Sequence, residues 1–110
     1  MIKKELFIFG SLFLSICANA SPALDLEMRM LEEKVGLCEV SIEGQQCNNT
    51  RHCEDLDGYA DYLFRGSSET YMQHALNTGA INDTNSDVVI DVMTRLNQVT
   101  VTRLNELPAC

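Results

Sequence analysis

Leu24, Met28, Leu31, Val35 and Cys38 recur at spacings of four and three, which places five apolar side chains on one face of a helix. The spacing predicts a first helix from about Ala23 to Leu37, opened by Ser21-Pro22, because proline at the first helical position has no N–H to leave unpaired. Leu26 and Met30 broaden its stripe, so this helix is expected to be covered on more than one side. Residues 39–53 hold Gly44 and the polar cluster from Gln45 to Thr50, a composition that predicts a loop. Leu56, Tyr59, Ala60, Leu63 and Phe64 then predict a second helix over Glu54–Arg65, ended by Gly66 in the left-handed conformation. A third, shorter helix follows a cap at Ser67 or Ser68, carries Tyr71, Met72, Ala75 and Leu76, and stops at Asn77-Thr78-Gly79; it is expected to form a hairpin with the second. Val89, Val92, Leu96 and Val99, with Leu104 and Leu107 below them, predict a fourth helix from Asp87 to about Leu107, ended by Pro108. Within it, Val99-Thr100-Val101-Thr102 alternates as a strand would, but an all-helical chain leaves a strand no partner.

The N-terminal pattern differs. Lys3 and Lys4 precede an apolar run from Leu6 to Ile16, and Ala18-Asn19-Ala20 supplies the small residues of a cleavage site, so residues 1–20 read as a signal peptide cut after Ala20. The run is about a dozen residues, short of the roughly 18 that a spanning helix requires. Leu14-Ser15-Ile16-Cys17 loosely resembles a lipobox, with lipidation of Cys17 as the alternative, but Ile16 stands where a small residue belongs. The expected organisation is a signal peptide over 1–20 and a single domain over 21–110, periplasmic or secreted, with no membrane span after cleavage.

A 90-residue domain buries too little surface to rest on packing alone. It retains four cysteines, Cys38, Cys47, Cys53 and Cys110, and an even number in a small exported domain predicts two disulfides. Cys38 and Cys53 lie at the end of helix 1 and the start of helix 2, the same edge of an antiparallel pair; Cys47 with Cys110 follows by elimination. In a simple up-down bundle the fourth helix, about 30 Å long, would carry Cys110 to the opposite end. Either the helices do not simply alternate or Cys110 pairs elsewhere. Zinc, with His52 beside Cys53, is the weaker reading without a C-x-x-C pair.

With Lys3, Lys4 and Glu5 removed, the charge is −9, against −8 for the whole chain. That sign repels nucleic acid and anionic membranes. It suits a solvated surface or a face that docks on a basic partner.

Among candidate constellations, Asp83, Asn85, Asp87 and Asp91 fall at positions 1, 3, 5 and 9 of a calcium loop, but Val88 replaces the required glycine and Thr94 the bidentate glutamate. Capping residues ahead of a long helix account for them. Glu54, Asp55, Asp57 and Asp61 crowd the start of helix 2, where carboxylates remain ionised rather than splitting into an acid and a base. With Tyr62 beside them they form the candidate partner-binding patch. Asn48-Asn49-Thr50 and Asn82-Asp83-Thr84 match the glycosylation sequon but fall in asparagine-rich surface segments of a chain whose leader looks bacterial. His52 and His74 belong to no hydrolase motif.

These readings define an all-α, four-helix domain stapled by two disulfides, with no catalytic residues, metal or cofactor expected. The expected function is that of an exported protein-binding module, of inhibitor, immunity or envelope-accessory type, whose partner is another exported protein of basic character. A calcium- or small-ligand-binding carrier is the alternative, and a small hydrolase or thiol enzyme the second alternative. The exported, cysteine-stapled helical plan is similar in outline to periplasmic immunity proteins of type VI secretion systems, a likeness of plan that transfers no residues.

Overall fold

A computed structural model of the protein describes residues 22–110. The signal segment, its cleavage point after Ala20, and Cys17 lie outside the described residues. Four helices make up the regular structure of the described residues: α1 (Pro22–Gln45), α2 (Arg51–Phe64), α3 (Ser68–Asn77) and α4 (Ser86–Asn105). No strand occurs among the described residues, and the β-branched run at 99–102 lies within α4. The all-α, doubly stapled architecture expected from the sequence is the one the chain adopts.

α1 does not stop at Leu37. It continues two further turns, because Ile42 extends the core stripe four residues beyond Cys38 and is itself buried. The helix ends where Gln46 takes a left-handed conformation (φ 56°) and its N–H reaches the Ile42 carbonyl at 2.8 Å. The expected loop over 39–53 is therefore only the short connection Gln46–Thr50. α2 begins at Arg51 rather than Glu54 because Thr50 caps it: its backbone is extended and its Oγ1 accepts the Cys53 N–H at 3.2 Å. Thr50 is 3 % exposed, and its hydroxyl also lies 2.6 Å from that of Ser41 on α1. α2 ends with Arg65 left-handed at φ 50°, and Gly66 follows at φ 90°, so the expected glycine terminator acts one residue after the cap.

Cross-chain contacts fix the topology. Cys38–Cys53 and Lys34–Asp55 align α1 and α2 antiparallel. Arg95 on α4 meets Glu32 and Glu39 on α1, whereas Val99 and Leu107 border Ile42 and Gln46, so α4 runs parallel to α1. The chain goes up, down and up, with α3 as an elbow near the first turns of α1, where Tyr71 bonds Glu27. This is how Cys110 reaches Cys47: α1 and α4 end at the same place, and the second staple closes there.

One cluster runs through the molecule, from Leu24, Met28, Leu31 and Val35 on α1 to Leu56 and Leu63 on α2 and Val89, Val92 and Val99 on α4. Burial of each Val or Leu contributes roughly 1.5–3 kcal/mol. Three apolar expectations are corrected. Leu104 is 75 % exposed, because Arg103 and not Leu104 faces α2; Leu26 and Met30 lie across α1 from the core stripe with no helix over them; Leu76 faces away from the cluster while Ala75 enters it.

Candidate functional site

The five residues of the candidate patch project from the solvent side of α2 along two lines on its opposite flanks. Glu54, Asp57 and Asp61 follow one, at three- and four-residue spacing; Asp55, Tyr59 and Tyr62 follow the other. All but half-buried Tyr59 are exposed, Tyr62 at 70 %.

Within this patch the carboxylates do different things. Asp57 is gripped from α4: Arg103 Nη1 and Nη2 donate to its two oxygens at 2.8 and 3.0 Å. The same guanidinium donates from Nε to the Asn48 carbonyl at 2.7 Å and from Nη2 to Asn49 Oδ1 at 3.2 Å, so one side chain ties α4 to α2 and to the α1–α2 connection. Its side chain is 12 % exposed, and the hydrogen bonds it donates to Asp57 hold the guanidinium above its ordinary pKa. Asp55 accepts Lys34 Nζ at 2.7 Å, and that ammonium also sits 5.6 Å from the centre of the Tyr59 ring. Tyr59 in turn is held above its ordinary pKa by burial first and by the charge of Glu27 second. Glu54 accepts only the side-chain amide of Asn49, at 3.2 Å. The Asp61 side chain has no partner among the described residues.

Asp55 and Asp57 thus serve the fold, and the part of the face without a charged partner among the described residues is Glu54, Asp61 and Tyr62, with Gly58 between the two lines. A Cβ built at Gly58 would meet nothing within 4 Å. The Asp57–Arg103 pair was invisible in the sequence, where an arginine in the last turn of a helix is sufficiently explained by the macrodipole. The burial of Thr50 was equally hidden behind its place in a sequon.

Of the residues weighed for calcium, Asp83 and Asn85 lie in the turn before α4 and Asp87 and Asp91 within α4 itself, and Asn85 is consumed by that turn. Its Oδ1 accepts the Asn82 N–H at 2.9 Å and its Nδ2 donates to the Ala80 carbonyl at 2.8 Å. Among the described residues, no three His, Cys, Asp or Glu side chains converge as metal ligands. Cys38, Cys47, Cys53 and Cys110 are all in disulfides, leaving no thiol among the described residues. A groove of about 650 Å³ at the α2–α3 junction holds Ser67, Tyr71 and His74. Ser67 is engaged as the α3 cap, accepting the Thr70 N–H at 3.1 Å, and Tyr71 donates to Glu27. That hydrogen bond and burial, burial being the larger cause, hold the Tyr71 phenol well above its ordinary range. Ser67 and Tyr71 are thus both engaged in contacts that hold α3.

Two intramolecular disulfides fit an oxidising, extracellular type of environment. No helix of the described residues is long and apolar enough to cross a membrane. Comparison with known proteins finds no matching family model, no matching curated protein and no matching solved structure.

Proposed function

We propose that the protein is an exported protein-binding module, periplasmic or secreted after removal of residues 1–20, that acts by contact with a basic partner and not by catalysis. The observation that carries this reading is the outward side of α2, where Tyr62 stands 70 % exposed next to Asp61 in sequence and two turns from Glu54, and neither carboxylate has a basic partner among the described residues. An aromatic ring rimmed by carboxylates is a common anchor for a cationic surface. The charge of −9 on residues 21–110 favours the same class of partner. A photoreactive amino acid at position 62, introduced into the exported, oxidised protein, tests the reading. It should give one discrete adduct that Asp61→Lys diminishes and that fades as ionic strength rises. Loss of the adduct altogether, or an adduct indifferent to both changes, would remove the support for this face.

A further inference from the structure

α1 carries two apolar seams on opposite sides. The first, Leu24 through Ile42, is the core stripe. The second runs Leu26, Met30, Leu37 and Val40 at spacings of four, seven and three, the repeat of a helix that packs against another helix. At about 100° per residue it lies across the helix from the first. All four side chains are at least 37 % exposed, and neither α2 nor α4 covers them. Glu33 fills the gap in this seam between Met30 and Leu37, and it takes no ion pair among the described residues. A shallow groove of about 480 Å³ lies along the same line, bordered by Leu26, Arg29, Met30, Glu32 and Glu33.

We propose that this seam docks a cationic amphipathic helix of another protein, with a Lys or Arg of that helix seated against Glu33. The three-and-four spacing matches a helical occupant, whose side chains interlock at that repeat; an extended segment repeats every two residues and would not. The charge selects which helix. Asp25, Glu32 and Glu43 flank the seam on the side that carries Arg29, with Glu32 also meeting Arg95 of α4 at 3.6 Å, and Glu33 lies within the seam. A polar residue in an otherwise apolar seam specifies register by demanding a complementary group. A second copy of this chain is the wrong occupant: it would set Glu33 against another acidic seam and bring together two domains of −9 each. An anionic membrane is repelled for the same reason. The seam from Leu26 to Val40 is about 21 Å long at the helical rise, so the occupant needs about two heptads. This surface is separate from the α2 face, and neither reading depends on the other.

The test uses the oxidised protein, ¹⁵N-labelled, and a synthetic peptide of about three heptads with leucine at the seam positions, lysine on the flanks and one lysine at the centre of the seam. Saturable binding is expected, with amide shifts centred on residues 26–40. Glu33→Lys should weaken it by about tenfold or more, and a companion peptide with glutamate at the central position should recover binding to Glu33→Lys but not to the parent. Val40→Asp, at a site open to solvent, should weaken both pairings. Absence of saturable binding, shifts centred on α2 or α4, equal binding of a peptide with serine in place of leucine, or an unchanged Glu33→Lys would each overturn the proposal. So would sedimentation showing a dimer that Val40→Asp dissociates, since that gives the seam to a second copy.

Discussion

At the end of the bundle where α1 and α4 stop, two disulfides, the Thr50 cap and the Arg103 guanidinium fasten four chain segments to one another. At the other end, α3 turns the chain between α2 and α4 with no covalent tie, and Ala75 alone of its ten residues is fully buried. The elbow is held by the edge-on contact of Phe64 with Tyr71 at 5.1 Å, by the Tyr71–Glu27 hydrogen bond, and by the side chains of Asn82 and Asn85 folding the following turn. A small domain can therefore concentrate restraint at one end and leave the other to packing and local hydrogen bonds. Opening free energies are expected to follow that distribution, with the lowest at the elbow, which amide exchange would measure.

The largest test of this contrast is removal of the staples. Cys47–Cys110 spans 63 residues and Cys38–Cys53 spans 15. In the loop-entropy account, their loss should cost about 4 and about 3 kcal/mol respectively. Paired Cys→Ala variants, compared by urea unfolding, should rank in that order. Reduction should go the other way round. Cys110 is exposed, whereas Cys38 and Cys53 are wholly inaccessible, so mild thiol should open the long loop first and leave the short one until the bundle unfolds. Equal reduction rates would show that the buried Cys38–Cys53 bond is as open to thiol as the exposed Cys47–Cys110 bond.

Next in size is Arg103→Met, which keeps most of the side-chain volume but strips the Asn48 carbonyl and Asp57 of their donor. A loss of about 2 kcal/mol is expected, chiefly from the Asn48 carbonyl, since Asp57 is 53 % exposed and water can replace its share. Lys34→Met removes a pair whose partner is similarly open, so it should cost no more than about 1 kcal/mol. Thermal or urea unfolding of the two variants side by side separates a clamp from a surface bridge.

The elbow gives a smaller effect with a pH signature. Tyr71→Phe should cost about 1 kcal/mol by breaking the bond to Glu27. In the parent protein the Tyr71 phenol is raised above its unfolded value of about 10. The protonated form is the one the fold favours, so this contribution is intact below pH ~10 and is lost as pH rises through the folded value. Unfolding followed across that range should show a steeper alkaline loss for the parent than for Tyr71→Phe, and α3 amides should exchange ahead of those of α1. Parallel alkaline curves would assign the steepness to another group.

The helix count, the apolar faces and the presence of two disulfides were legible, the stripes in their spacing and the staples in parity, whereas the pairing of Cys47 with Cys110 followed only by elimination and stayed open against the expected up-down bundle. What was not legible depended on distance. Gly44 and the polar run after it suggested a loop, and only Ile42 meeting the core kept α1 helical through Gln45. The direction of α4 was undetermined until Arg95 met Glu39 across 56 positions. Of the candidate face, the residues were legible but not their commitments, because Asp57 and Asp61 look alike until Arg103 arrives from 46 positions away. Leu26 and Leu104 carried the opposite error: apolar character was read as burial, although a good part of any folded surface is apolar.

Gly58 brings the comparison down to a single position and the smallest effect. It sits in the interior of α2, exposed, where glycine costs about 1 kcal/mol relative to alanine. Its φ is ordinary for a helix, and nothing lies within 4 Å of an added Cβ. The fold has no use for a glycine there. Gly58→Ala should accordingly raise stability by about 0.5–1 kcal/mol, measurable as a shift in the urea midpoint with an unchanged slope. If the α2 face meets a partner at close range, the small residue leaves room between Tyr62 and Glu54 that a bulky one would fill. Gly58→Leu should then retain or exceed the parent's stability while abolishing the position-62 adduct. An adduct that survives Gly58→Leu would mean that the partner, if it binds α2, approaches along the Asp61 line and leaves the middle of the helix uncovered.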